Sequence, residues 1–297
     1  MTMPKRKLGK NGPEVSALGL GAMSFAGFFG RADDETSLET LAAAEDAGIN
    51  FWDTANIYGM GRSETVIGRY IKEVGAKTNI TLATKASIVP GPPRSINNEA
   101  GYIRGELEGS LKRLNRDHVE LYYIHRREQD RPIEEVAEHM GKLSEEGLIG
   151  GWGLSEVAPT TIRRAHAVTP VRAVQSEYSL WSREPELGVL QTCQELGIAF
   201  VPFSPVGRGI ISSVDLDPPN FESHDFRKSN PRFMEPNFSA NMQHVHALRD
   251  FAARKGVTVT ALAIAWSMQA TDMVIPIPGT RPKEHLHAWL PATSIPL

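Results

Sequence analysis

Four ionisable side chains of four kinds stand at or just past the ends of consecutive apolar runs: Asp53, Tyr58, Lys85 and His125. A phenol with an ordinary pKa of about 10 is a poor proton donor near neutrality unless a cation lies beside it. Lys85 can supply that cation, and Asp53 can hold the lysine charged and oriented. His125 can hydrogen-bond a substrate oxygen and set its angle. The group suits protonation of an oxygen that turns negative as a hydride arrives at its carbon. Taken singly, each residue has a plainer reading: a solvated lysine, a packed tyrosine, a structural histidine. Only their joint placement carries the chemistry.

Positioning such a group requires strands that end together. Short apolar or β-branched runs at 17–21, 50–53, 80–84, 119–125, 150–154, 171–176, 199–203 and 273–278 read as strands. Segments of helical period lie between or after them, at 35–47, 63–74, 98–114, 133–146, 159–167, 184–196, 241–254 and 260–269. In the segment 184–196, Leu187, Leu190, Cys193 and Leu196 recur every three residues and predict one buried face. Gly48, Gly147 and Gly197 follow helix ends, as C-terminal caps do. Eight alternations without a break in composition predict an α/β chain of one domain, residues 1–297, folded as a (β/α)8 TIM barrel. The runner-up is an open doubly wound sheet. Against it, Gly19-Leu20-Gly21 begins a dinucleotide fingerprint that fails at Ser24. Two segments lie outside the alternation. Asn11-Gly12 between short flanks predicts an N-terminal β-hairpin with a type I′ turn, placed to plug the barrel bottom. The stretch 206–238, rich in Pro, Ser and Asn, is too long for an ordinary connection and reads as a lid after strand seven.

A barrel carries its site at the carboxyl ends of its strands. There the sequence places Ser155 and Glu156, Gln175, and the run Phe203-Ser204-Pro205-Val206-Gly207-Arg208-Gly209. The 297 residues carry a net charge of -3, which makes no electrostatic case for a nucleic-acid partner. A single cysteine, Cys193, excludes an internal disulfide framework and a multi-cysteine metal cluster. No apolar run reaches the ~20 residues of a membrane span, and a cytoplasmic location is the expectation. The chain stops at Pro296-Leu297 soon after a helix-like segment, an ending that leaves room for further residues.

The stretch DTANIYG at 53–59, followed by Ser63-Glu64 and preceded by Gly48-Ile49-Asn50, resembles the signature of the aldo-keto reductases. Further blocks match in order: TLATK at 81–85, LYYIHR at 121–126, GLSE at 153–156, VQSEY at 174–178, FSPVGRG at 203–209 and IPIPGT at 275–280. The resemblance implies NADPH-dependent reduction of a small aldehyde or ketone, or the reverse oxidation, without a metal. It makes Tyr58 the general acid, Lys85 and Asp53 its tuning pair, and His125 the group that orients the carbonyl. It assigns the nicotinamide amide to Ser155 and Gln175, with Glu156 standing where Asn is common, and stacking of the ring to Phe203. Ser204, Pro205, Gly207, Arg208 and Gly209 would pass near the pyrophosphate. Gly279, Thr280, Arg281 and His285 would serve the adenosine end, where Arg281 suits a 2′-phosphate. The family's Glu-Asn pair at the adenine is replaced by Ala288-Trp289, which leaves NADH open as an alternative cofactor. Met23, Phe25, Phe28, Phe29, Trp52 and Trp181 are the expected lining of an apolar substrate pocket.

Two other functions fit the same four residues: a Schiff-base lyase with Lys85 as nucleophile, and a nicotinamide-binding regulatory subunit with negligible turnover. An anion beside Lys85 argues against the lyase. His244/His246 and His285/His287 resemble metal pairs, but residues two apart on a helix face different ways. Ser24, Ser155 and Ser204 lack a nucleophile elbow. Arg126-Arg127 and Arg163-Arg164 read as solvated faces or helix-end charges.

Overall fold

The computed structural model describes residues 3–74 and 79–297. Seven parallel strands form the central sheet: β3 (Leu20–Gly21), β4 (Phe51–Asp53), β5 (Thr81–Ala86), β8 (Leu121–Ile124), β9 (Trp152–Ser155), β10 (Ala173–Glu177) and β11 (Ala199–Phe203). They pair in that spatial order. The expected eighth strand, 273–278, runs between β11 and β3 and closes the barrel, but it is joined only by isolated bridges. The reason is chemical. Ile275 and Ile277 donate to Phe200 and Pro202 on one side, at 2.8 and 3.0 Å. On the other side stand Pro276 and Pro278, whose carbonyls accept from Gly19 and Gly21 but which have no N–H to return. Half the ladder toward β3 is therefore missing while the closure persists.

Interior side chains of Phe51, Ala83, Leu121, Tyr123, Ala173, Val201 and Ile275 fill the barrel, all of them fully buried. The bottom is plugged by the hairpin β1 (Lys5–Lys7) and β2 (Glu14–Ser16), which inserts Leu8 and Val15 into that cluster. Its turn is wider than a type I′ turn: Leu8 N–H donates to Pro13 O, and the positive φ falls on Gly9 rather than at Asn11-Gly12. The Arg6 guanidinium reaches the Met268 and Val274 carbonyls, tying the hairpin to the closing segment.

Helices cover the sheet outside. They are α1 (Asp34–Asp46), α2 (Arg62–Val74), α3 (Ala100–Leu114), α4 (Ile133–Glu145), α5 (Pro159–Val168), α6 (Val189–Leu196), α7 (Asn237–Arg254) and α8 (Val259–Met268). Starts are capped by side chains: Asp33 accepts from Thr36 N, and Thr258 accepts from Ala261 N. The expected helix 184–196 is two pieces. Gly188 (φ 144°) turns the chain between a 3-10 turn at Glu184–Leu187 and α6. Leu190 and Cys193 are buried as expected, but Leu187 is swung out to 88% exposure. Sequence reading missed a small hairpin, β6 (Ile88–Val89) and β7 (Ser95–Ile96), which rises from the end of β5 beside the barrel mouth. The lid 206–238 is built of 3-10 turns, and Phe226 N–H donates to Phe28 O on the loop after β3.

Helix α2, which follows the loop after β4, buries Val66, Ile67, Tyr70 and Ile71, each worth about 1.5–3 kcal/mol as an apolar side chain. It approaches α3 so closely that a Cβ on Gly68 would lie 1.9 Å from Arg113 O. Gly68→Ala should therefore force the two helices apart and cost about 1–3 kcal/mol in urea unfolding. An unchanged midpoint would show that this contact is slack.

Candidate active site

Asp53 is the last residue of β4, Lys85 lies near the end of β5, and His125 follows β8 directly. Parallel register carries them to one mouth: Asp53 pairs with Ala83 and Lys85 with Tyr123. The Lys85 ammonium donates to Asp53 Oδ1 and, at 2.7 Å, to Thr54 O. Gln175 Nε2 donates to the other Asp53 oxygen at 2.8 Å. Lys85 is 0% exposed. Tyr58 is delivered by a turn of left-handed residues, Gly59, Met60 and Gly61, that reverses the chain before α2. Its ring lies 5.2 Å from Lys85 Nζ, and its centroid 5.8 Å from that of His125, edge to face. The adjoining Ser63-Glu64 is structural: Ser63 bonds Thr54 and Ala22 O, while Glu64 is fully buried against Thr84 and Arg113.

Burial pushes the Tyr58 phenol above its ordinary value of 10.0, the Lys85 charge pulling against it and Asp53 reinforcing it. Tyr58 is thus held as the neutral acid, with a cation waiting for the anion it would become. Burial likewise raises Asp53, opposed by the Lys85 charge and by the Lys85 and Gln175 hydrogen bonds. His125 is driven well below 6.5 by burial first, then by the Lys85 and Arg126 charges. A neutral imidazole keeps one donor and one acceptor nitrogen. Its Nδ1 is buried with no hydrogen-bond partner among the described residues.

These groups open into a cavity of about 870 Å³ that extends to Arg281 and His285. Ser155, Gln175, Phe203, Ser204, Pro205, Arg208, Gly209, Gly279, Thr280, Arg281 and His285 all line it, as do Met23, Phe28 and Phe29. Gly207 does not; it is buried in the turn that presents its neighbours. Three expected pocket residues lie elsewhere. Phe25 and Trp52 are 0% exposed in the core behind the strands, where Trp52 packs on Tyr70. Trp181 packs outside the cavity beneath the Arg232 guanidinium. Glu156 also turns away, accepting from Glu177 N–H. Ala288 and Trp289 reach the cavity beside His285, whose Nδ1 lies 2.9 Å from Thr280 Oγ1.

Several residues escaped the sequence reading. Arg126 lines the cavity instead of facing solvent, bonded to His125 O at 2.6 Å and to Ser155 Oγ at 3.2 Å. Its position next to His125 in the strand-end block was the available signal. Glu177 grips both ends of the lid, accepting from Arg208 and from Arg232 at 2.7 Å each. Asp225 pairs with Arg227, whose guanidinium lies over Phe221. Nothing local in the sequence announces the long-range pairs of Glu177, whereas Asp225 and Arg227 lie only two residues apart.

Removing one partner of a buried ion pair typically costs ~3–5 kcal/mol. Asp53→Ala should lower stability to urea by about that much, because Lys85 loses its carboxylate in a dry site. The double variant Asp53→Leu/Lys85→Met should recover most of the loss. A double variant as unstable as the single one would mean that packing, not charge, sets the cost.

The sequence profile of the Aldo/keto reductase family matches residues 17–297. A fission-yeast protein, the Aldo-keto reductase yakc [NADP(+)] of Schizosaccharomyces pombe, is 39% identical over all of this chain and 88% of its own length. Among solved structures, the glycerol dehydrogenase AKR11B4 of Gluconobacter oxydans superposes with a TM-score of 0.89 at 26% identity, covering 100% of this chain and 92% of that one. The aldo-keto reductase AKR11C1 of Bacillus halodurans gives 0.80 at 25%, covering 99% and 92%. With the signature residues converging at the mouth of a (β/α)8 barrel, the chain belongs to the aldo/keto reductase family.

Proposed function

We propose that this protein is an NADP-dependent oxidoreductase that transfers a hydride between NADPH and the carbonyl of a small aldehyde or ketone, with Tyr58 as the general acid. The observation that carries the reading is the buried Asp53–Lys85 pair beneath Tyr58, at one end of a cavity of about 870 Å³ that runs to Arg281 and His285. The NADP(+) named for the yeast relative supports the choice of cofactor. So does the chemistry of the walls. Phe203 offers an aromatic face at one end, and the cations Arg208, Arg227 and Arg281 line the remainder, as a polyanionic cofactor needs. Ser155 and Gln175 would hold the nicotinamide amide, the loop 203–209 the pyrophosphate, and Arg281 with Thr280 the phosphorylated ribose.

When bound, the nicotinamide supplies or accepts the hydride. The rest is work for the chain. Neutral His125 donates to the carbonyl oxygen and fixes its direction. Tyr58 gives that oxygen its proton as negative charge builds there. An ammonium 5.2 Å from the centre of the ring that becomes the phenolate is worth ~3 kcal/mol at an effective dielectric of ~20, about two powers of ten in rate. Asp53 and Gln175 keep Lys85 aimed. The lid strapped to Phe28 excludes water from the reacting centre. Lys85 is a poor candidate for a Schiff-base nucleophile, since it is buried, ion-paired and bonded to Thr54 O.

Three outcomes test this. Tyr58→Phe should lower carbonyl reduction by ~10²–10⁴, read as loss of NADPH absorbance, while NADPH still binds. Retention of most activity would remove Tyr58 from the role. In wild type, reduction needs the protonated phenol, so kcat/KM should hold level from about pH 6.5 to 9 and fall only above about 10. An inflection near pH 6.5 would mean that His125 titrates and is not held neutral. Arg281→Ala should weaken NADPH binding by tenfold or more, about 1.4 kcal/mol, and NADH far less. Equal losses would refute contact with a 2′-phosphate.

A further inference from the structure

Around the cavity some charges are paired and others are not, and one of the unpaired cations stands beside the reacting centre. Its two carboxylates are engaged, Asp53 by Lys85 and Gln175 and Asp33 by Thr36 N–H. Arg208 and Arg227 are paired with Glu177 and Asp225, and Arg281 donates to Arg31 O. Arg126 alone stands next to His125 and Tyr58 with no carboxylate among the described residues. One nitrogen, Nη1, is taken by His125 O and Ser155 Oγ, which fixes the plane of the guanidinium. Nε and Nη2 have no acceptor among the described residues. A half-buried cation is costly to leave uncompensated, and a guanidinium with two nitrogens free is matched to a carboxylate.

A second cation faces the same space. Arg94, on the loop of the β6–β7 hairpin, lines the cavity together with Ile88, and it too has no ion pair among the described residues. The neighbouring wall is apolar, formed by Met23, Phe28 and Phe29. An apolar slot beside the proton donor that also holds two unmatched cations fits a carbonyl compound with an apolar body and an anionic end.

Resting on the reductase reading above, we propose that Arg126, assisted by Arg94, forms a subsite for the carboxylate of the substrate, and that the preferred substrates are carboxylate-bearing aldehydes or ketones. Arg126 is then a specificity-determining residue, and not only a neighbour of His125. Binding the anion in this way also neutralises the charge that Arg126 adds at the site.

The test compares 4-carboxybenzaldehyde with its neutral methyl ester, methyl 4-formylbenzoate, using NADPH and the whole chain. The ratio of their kcat/KM values cancels any general loss of folding or chemistry, since both substrates meet the same variant. Wild type should favour the carboxylate by about tenfold or more, mostly through KM. Arg126→Gln should bring the ratio close to one, and Arg94→Gln should lower it about threefold. A ratio near one in wild type, or an unchanged ratio in Arg126→Gln, overturns the subsite. Equal losses for both substrates would make Arg126 an electrostatic support of Tyr58 and overturn it as well. Turnover of neither aldehyde would count against the reductase reading, and the subsite would then be judged by equilibrium binding of benzoate. Weakening in Arg126→Gln supports it there, and equal binding in both proteins overturns it.

Discussion

A lysine with no contact with water, held by a carboxylate and aimed at a phenol, is the constraint on which this molecule depends. Lys85 is affordable inside the barrel only because Asp53, Thr54 O and, one step back, Gln175 complete its shell. Those three partners come from β4, the loop after it and β10, so the pair forms only when distant strands are in register. The requirement runs outward. Parallel pairing of β4 with β5 sets the carboxylate beside the ammonium, and left-handed residues after β4 return Tyr58 above both.

The same dryness gives the neighbouring groups opposite tasks. Burial keeps Tyr58 protonated and His125 neutral, so in the proposed reaction one would store the proton and the other would guide the carbonyl by a hydrogen bond. The Arg126 charge lowers both values, which reinforces the neutrality of His125 and opposes the effect of burial on Tyr58. The surrounding cavity divides by chemistry: the ion-paired Arg208 and Arg227 on the side of the lid, and apolar side chains with Arg126 and Arg94, which have no ion pair among the described residues, near the mouth of β5 and β8.

The order of strands and helices was legible because each strand is a short apolar run and several helices end on a capping glycine. The four ionisable residues at the mouth were legible because strand ends are where such a fold gathers chemistry. What was not legible involved partners far apart in the chain. Trp52 and Phe25 look like pocket aromatics in the sequence, yet alternation along β4 sends Trp52 outward to Tyr70. Arg126 looks like half of a solvated pair until the strand end turns it inward toward Ser155. The eighth strand reads as a strand and closes the barrel as one, but Pro276 and Pro278 withhold the donors that a regular ladder needs. Leu187 keeps the period of a buried face and loses it to the backbone angle of Gly188, one residue later.

The central claim is electrostatic: the Lys85 charge stabilises the phenolate of Tyr58. Its most direct measurement is the titration of Tyr58 by 13Cζ NMR on tyrosine-labelled protein, assigned by its absence from Tyr58→Phe, in wild type and in Lys85→Met. The account predicts a Tyr58 pKa that rises by one unit or more when the ammonium is removed, about 1.4 kcal/mol. A value that stays the same or falls in Lys85→Met would contradict it.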